Sequence, residues 1–274
     1  MNNISMDILK KQVLVLLIMV FALAVPRVYG ETPPADQPAK SRWEFVTVLY
    51  FWGPSVSGDM TVRGIPAHVD IPLSDILKAL NFTGQVHLEA WKDRWGLFLD
   101  TLYVNLSADA DARTIAGSAD VGFQMWTVEF GGLYRFAKWP LGKDEKTALT
   151  MEALAGGRYW NLFASLDLAI PLTHTFVDTS GRKEWIDPFV GARMRLDLSN
   201  KFSVSLRGDV GGFDVGSKFT YNAVGLVGYN ISPVVSVWLG YRVLGLNYES
   251  GSGFNKFKFD GTLYGPITGI VFRF

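Results

Sequence analysis

The chain has no cysteine among its 274 residues, so it can form no disulfide, thiolate zinc site, thiol nucleophile or lipid-modified cysteine. Charge is scarce as well. Asp, Glu, Lys and Arg make up 19% of the residues and cancel to a formal net charge of zero, where an average domain carries about 25%. No long basic run occurs, which removes the electrostatic footprint of a nucleic-acid binder. After the first thirty residues no uncharged apolar run approaches the roughly 20 residues that a helix needs to cross a bilayer. Aromatic residues (14%) and 28 glycines are plentiful instead. That composition argues against disorder and favours strands and turns over a helical bundle.

The first thirty residues have the parts of a secretory signal. Lys10 and Lys11 form a positive flank, Val13 to Val25 is unbroken apolar sequence, and Pro26 precedes a segment ending in Val28-Tyr29-Gly30. A small residue at the end and an aliphatic one two before it suit signal peptidase, so residues 1–30 are expected to be a cleaved signal peptide. Their three cations and one anion leave with them, which turns the net charge from zero to −2. Residues 31–42, opening on ETPPADQPAK, are expected to be a flexible periplasmic lead-in. Residues 43–274 are expected to form one domain.

From Trp43 onward the hydropathy pattern has period two. In 203–210, Val204, Leu206 and Val210 oppose Ser203, Ser205, Arg207 and Asp209. In 187–198, Val190, Ala192, Met194 and Leu196 oppose Gly191, Arg193, Arg195 and Asp197. Val235, Val237, Leu239, Tyr241 and Val243 oppose Ser236, Gly240 and Arg242 in the same way. These are strands with one apolar and one polar face. Similar segments at 43–52, 85–91, 95–106, 120–136, 148–166, 219–230 and 257–274 bring the total to ten.

Short connections (92–94, 199–201, 231–233) alternate with longer ones (53–84, 107–119, 167–186, 249–256). Short turns at one end and long loops at the other, with an even strand number, is the pattern of an outer-membrane barrel. The expected fold is therefore all-β: a single antiparallel up-and-down transmembrane β-barrel of ten strands, with eight or twelve as alternatives. Residues 53–84 are expected to be a structured excursion, holding a hairpin of 60–63 with 68–71 and one or two helical turns from Ser74 to Leu80, capped by Ser74. If that hairpin joined the wall, the count would be twelve.

Three features place this alternation in a membrane. The polar face carries both signs of charge at strand centres: Glu89, Asp100, Glu129, Glu152, Arg158, Arg193, Arg195, Asp197, Arg207, Asp209 and Arg242. A narrow lumen closed by paired charges explains that mixture, and Arg193, Arg195 and Arg207 are expected to pair there with Glu152, Asp197 or Asp209. Aromatics gather near strand ends, with Trp43, Trp91, Trp95, Phe136, Trp139 and Phe272 at one end and Phe51, Trp52, Trp160, Trp185, Tyr248 and Phe257 at the other. They are expected to form two interfacial girdles. Finally, the chain ends with Ile270, Phe272 and Phe274 on one face.

That ending resembles the assembly signal of Gram-negative outer-membrane barrels. Arg94-Trp-Gly-Leu-Phe-Leu-Asp100, Glu152 to Trp160, Asp187 to Arg193, Leu206 to Phe213, Leu239-Gly-Tyr-Arg242 and Gly265 to Gly269 resemble segments of a largely uncharacterised family of small outer-membrane β-barrel proteins. The resemblance implies residence in the outer membrane after export. It also implies contact with outer-membrane lipid and lipopolysaccharide, and recognition of the C-terminal strand by the barrel-assembly machinery. It implies nothing about activity.

Other candidate sites are thin. His68, His87 and His174 include no two at metal-ligand spacing, and His87 alternates with Gln85 and Glu89 as a lumen-facing polar residue. Asp178, His174 and Asp214 could meet at an outer rim as in barrel hydrolases, but no motif supplies a nucleophile and no Gly-x-Ser-x-Gly elbow occurs. Asp109, Asp111 and Asp120 lack the full calcium-loop spacing and read as solvated loop charges. Gly211 to Gly216 lacks the Lys-Ser/Thr ending of a phosphate loop and reads as a tight turn. No enzyme, cofactor, metal or nucleic-acid partner is expected. The functional expectation is a structural or interaction role at the cell surface, with an anion-preferring small-solute channel or porin as the alternative and an outer-membrane hydrolase as a remote third.

Overall fold

The structure is a computed structural model that describes residues 42–62, 65–112, 117–141, 147–170 and 175–274. The expected signal peptide and lead-in therefore lie outside the described residues, apart from Arg42. Ten antiparallel strands close a ring: β1 (Glu44–Trp52), β4 (Leu80–Lys92), β5 (Trp95–Ala112), β6 (Gly117–Pro140), β7 (Ala148–Ile170), β8 (Thr175–Asp197), β9 (Phe202–Gly211), β10 (Phe219–Asn230), β11 (Val235–Ser250) and β12 (Phe257–Arg273). Each pairs with its neighbour in the ring, and β12 returns to β1 through Val46↔Arg273 to Trp52↔Ile267. Closure leaves no sheet edge inside the belt, as a bilayer requires.

The two remaining strands, β2 (Ser55–Val62) and β3 (Ile65–Ile71), lie outside the ring. β2 pairs with the upper half of β12 (Phe257–Tyr264), above the half that β1 occupies. Chain direction is kept through a break at Gly53-Pro54. The Gly53 carbonyl oxygen lies where a Cβ on Gly265 would sit at 2.1 Å, so only glycine tolerates this approach. The excursion is thus a hairpin, longer than expected, followed by α1 (Leu73–Ala79). Ser74 does not cap α1. Pro72 holds the N-cap position with no side-chain cap bond, and its carbonyl accepts from Asp75 and Ile76. Lys78 donates to Asp75 at 2.8 Å and holds that carboxyl below its ordinary value.

The end with the chain termini and short turns is called the base, the opposite end the crown. β6, β7 and β8 run 24, 23 and 23 residues, whereas β9 has 10. About ten tilted residues cross an apolar belt of about 25 Å, so β5 to β8 continue as a four-stranded sheet well beyond the crown. The loops expected over 107–119 and 167–186 are thereby corrected, because most of both is strand.

The outside of the ring carries the apolar residues that alternation assigns to it, among them Leu97, Leu206, Val227 and Leu239. Trp43, Trp95, Phe136, Trp139 and Phe202 ring its base as expected for a girdle or in register with one. Trp91, expected in that same girdle, is instead buried inside the barrel. The other girdle is largely corrected, because Trp52, Trp160, Trp185 and Tyr248 are buried inside the barrel as well. Strand parity decides this: Trp160 lies two residues from Arg158 and Trp185 two from Asp187, so each shares the inward face of its charged neighbour.

Candidate functional site: the lumen

The lumen is filled in layers. Nearest the crown, Trp52, Trp160, Trp185, Leu244, Leu246 and Tyr248 belong to one buried cluster that reaches across the barrel. Trp185 stacks on Trp160 at 5.8 Å and on Tyr248 at 3.8 Å between ring centroids. Nearer the base, Phe98 and Phe189 lie beside Gly131 and Gly156, their register partners. Those two glycines face each other across β6 and β7, and a Cβ on either would strike backbone at 2.2 or 2.0 Å. The Phe98 ring comes within 2.9 Å of where a Gly131 Cβ would sit, so the missing side chain also leaves room for that ring.

Between these layers sits a lattice of ion pairs. Glu129 is its centre, accepting from Arg158 Nε at 3.0 Å, Arg242 Nη2 at 3.0 Å and Arg207 Nη2 at 2.7 Å. Asp209 accepts from Arg158 Nη2 at 2.8 Å, Arg207 Nε at 3.1 Å and Asn222 Nδ2 at 2.8 Å. Closer to the base, Arg193 donates to Glu152 at 2.7 Å and grips both oxygens of Glu89, while Arg135 reaches Glu152 at 3.3 Å. Arg195 meets Asp197 at 2.9 Å. Asp100 accepts from Tyr50 at 2.8 Å and contacts His87 at 3.0 Å, whose other nitrogen contacts Glu89 at 2.8 Å. Each of the eleven charged residues named in the sequence analysis has a partner of opposite charge or a hydrogen bond.

Side-chain exposure falls from 30% at Arg195 to 15% at Arg207 and 0% at Arg158. The innermost pairs are thus desolvated, where Coulomb attraction is strong and loss of one partner is costly. Arg158 and Arg242 also lie over aromatic faces, Phe189 at 4.9 Å and Trp52 at 4.7 Å, which adds cation–π attraction.

Several lumen groups were missed by the sequence reading: Tyr50, Trp91, Arg135, Asp187, Asn222 and Arg273. Asp187 matters most. It is fully buried and accepts from Trp160 Nε1 at 2.9 Å, Trp185 Nε1 at 3.2 Å, Ser217 N at 2.6 Å and Ser217 Oγ at 2.7 Å. These bonds hold the β9–β10 connection over the top of the lattice. The connection has three successive left-handed residues, Gly212, Phe213 and Asp214. The sequence signal was present, since Asp187 shares its phase with Arg193.

The remaining candidates do not converge. His68 touches Asp59 on the exposed outer hairpin, and His87 is in the lattice. His174 is outside the described residues, as is the side chain of Asp178, so the rim set with Asp214 is not assembled by anything described. Asp109, Asp111 and Asp120 lie in strands rather than a loop. Backbone register puts Asp109, Asp120, Asp167 and Asp178 directly opposite one another across β5 to β8.

A closed, ten-stranded, up-and-down barrel with an apolar outer belt and a charge-paired interior is the architecture of Gram-negative outer-membrane barrel proteins. Solved structures with similar architecture include the outer-membrane protease OmpT of Escherichia coli, with a TM-score of 0.48 and 9% identity over 86% of this chain and 98% of that one. The attachment invasion locus protein Ail of Yersinia pestis aligns with a TM-score of 0.34 and 10% identity, covering 85% of this chain and 98% of that one. Neisserial surface protein A aligns at 0.32 and 11%, covering 84% and 97%. The likeness concerns the barrel alone. No protein-family model and no curated protein matches the sequence.

Proposed function

We propose that this protein is a non-conducting, non-catalytic outer-membrane barrel whose role is structural or interactive at the cell surface. The observation that carries this reading is the filled lumen: an aromatic and aliphatic layer lies above a lattice in which Glu129 alone takes up three arginines. A conducting pore needs hydrated, solvent-facing charges, whereas these spend their hydrogen bonds on one another. The orientation follows the outer-membrane pattern, with the base in the periplasm and the extended β5–β8 sheet outside the cell. Lipid and lipopolysaccharide are the partners of the outer belt. The apolar row of β12 that ends in Ile270, Phe272 and Phe274 is the handle for the barrel-assembly machinery.

Planar-bilayer recording tests the reading. Folded protein, verified by its shifted migration in unboiled denaturing gels, should insert without producing steady conductance steps. Reproducible anion-selective steps would overturn it and establish the channel alternative.

A further inference from the structure

Packing of the lumen is uneven. Beside the lattice lies a cavity of about 100 Å³ whose wall includes His87, Asp100, Arg193, Arg207, Trp238 and Arg242. That is room for a few waters or for one small ion in their place. Three arginines and only one carboxylate residue line this space, beside apolar groups such as Val48, Val224, Leu226 and Ile267. Asp100, the carboxylate, is already engaged by Tyr50 and His87. Arg207 and Arg242 use Nε and Nη2 for Asp209, Glu129 and Asn222, which leaves the Nη1 group of each outside these bonds.

A second observation concerns donors without acceptors. The indole Nε1 of Trp238 is buried and has no hydrogen-bond partner among the described residues. On the base side of Trp238, the Arg273 guanidinium lies 5.7 Å from the indole ring. Its Nη1 donates to Ser236 Oγ at 2.6 Å, and its Nη2 is buried without an acceptor. The other lumen arginines described above each have a carboxylate within ion-pair distance, whereas Arg273 has none among the described residues. Buried donors left unmatched are destabilising; Trp238 is itself part of the cavity wall, and Arg273 lies behind its ring.

We propose that the cavity binds one small oxyanion, of the size of inorganic phosphate, with Trp238 Nε1 and the spare amino groups of Arg207 and Arg242 as donors. Arg273 supplies the uncompensated positive charge at the base side. Planar guanidinium groups suit oxygen anions better than a spherical halide, because paired N–H groups match paired oxygens. The site is a binding site within a closed lumen. It stands whether or not the surface role proposed above is right.

Equilibrium dialysis of the folded, detergent-solubilised protein against radiolabelled phosphate at low ionic strength tests this. Saturable binding of one phosphate per barrel is expected. Sulfate and acetate serve as competitors, and their ranking tells a tetrahedral from a planar oxyanion. Chloride at equal concentration should displace little. Trp238→Phe keeps the ring and removes the donor, so it should weaken binding about tenfold or more. Arg273→Gln should weaken it in the same direction. Trp126→Phe, which alters an outward indole bonded to Thr101, should leave it unchanged. Absence of saturable binding to folded wild-type protein would overturn the site, as would a Trp238→Phe variant that binds like wild type. Chloride competing as well as sulfate would overturn the oxyanion assignment. Bilayer recording on the same preparation decides the non-conducting reading separately.

Discussion

Arg158 has no exposed side-chain surface, and its two bonded nitrogens serve two different carboxylates. Arg195 makes an equally short contact to Asp197, yet both partners are about 30% exposed. These two arginines should therefore behave very differently when truncated. Arg158→Ala strands Glu129 and Asp209 in a dry lumen and should cost about 3–5 kcal/mol. Arg195→Ala should cost at most about 1 kcal/mol, since water screens what remains. Arg207→Ala falls between them, and a carboxylate-to-amide change at Asp209 should recover part of its loss. Unfolding midpoints in denaturant read all three. Equal effects at Arg158 and Arg195 would show that burial does not grade the lattice.

At the scale of elements, the β9–β10 connection rests on one carboxylate. Asp187 accepts both the amide and the hydroxyl of Ser217, and these bonds hold a turn with two non-glycine residues at positive φ. Left-handed Phe213 and Asp214 are conformations that the chain leaves readily once the restraint is gone. Asp187→Asn weakens the clasp and gives Trp160 and Trp185 a neutral acceptor in place of a charged one. The variant should fold with the barrel intact while residues 212–218 become sensitive to limited proteolysis, about tenfold faster than wild type if roughly 1.4 kcal/mol of restraint is lost. Unchanged cleavage would mean that packing, rather than Asp187, holds the turn. The outward row on β12 is a separate matter: Phe274→Ser should reduce the heat-modifiable fraction recovered from membranes without changing the midpoint of the protein that does assemble.

Across the whole molecule, ion pairs removed from solvent escape screening by salt. The Debye length falls from about 10 Å at 0.1 M to about 3 Å at 1 M, which weakens exposed pairs far more than buried ones. A barrel held by the Glu129 centre should keep its unfolding midpoint nearly constant over that range of sodium chloride. A marked loss of stability at high salt would mean that the lumen is wide and wet.

The alternating strands within 43–274, taken with the mixed charges of their polar face, the aromatics near their ends and the alternating C-terminal row, determined the barrel, because a strand with one apolar face can satisfy a membrane only by closing on its neighbours. The phase of the alternation also determined which charges point inward: once Arg193 is inside, Arg195, Asp197 and Asp187 must be inside too. Three things needed the tertiary structure. Which carboxylate each arginine holds depends on shear, which sets Arg158 beside Asp209 from two strands away and is not written in either segment. Trp160 and Trp185 share the inward parity of Arg158 and Asp187, but that they meet on adjacent strands and stack into a plug was decided by register. The extent of β5 to β8 beyond the crown was likewise a matter of pairing: the backbone ladders run on through segments that the sequence reading assigned to loops.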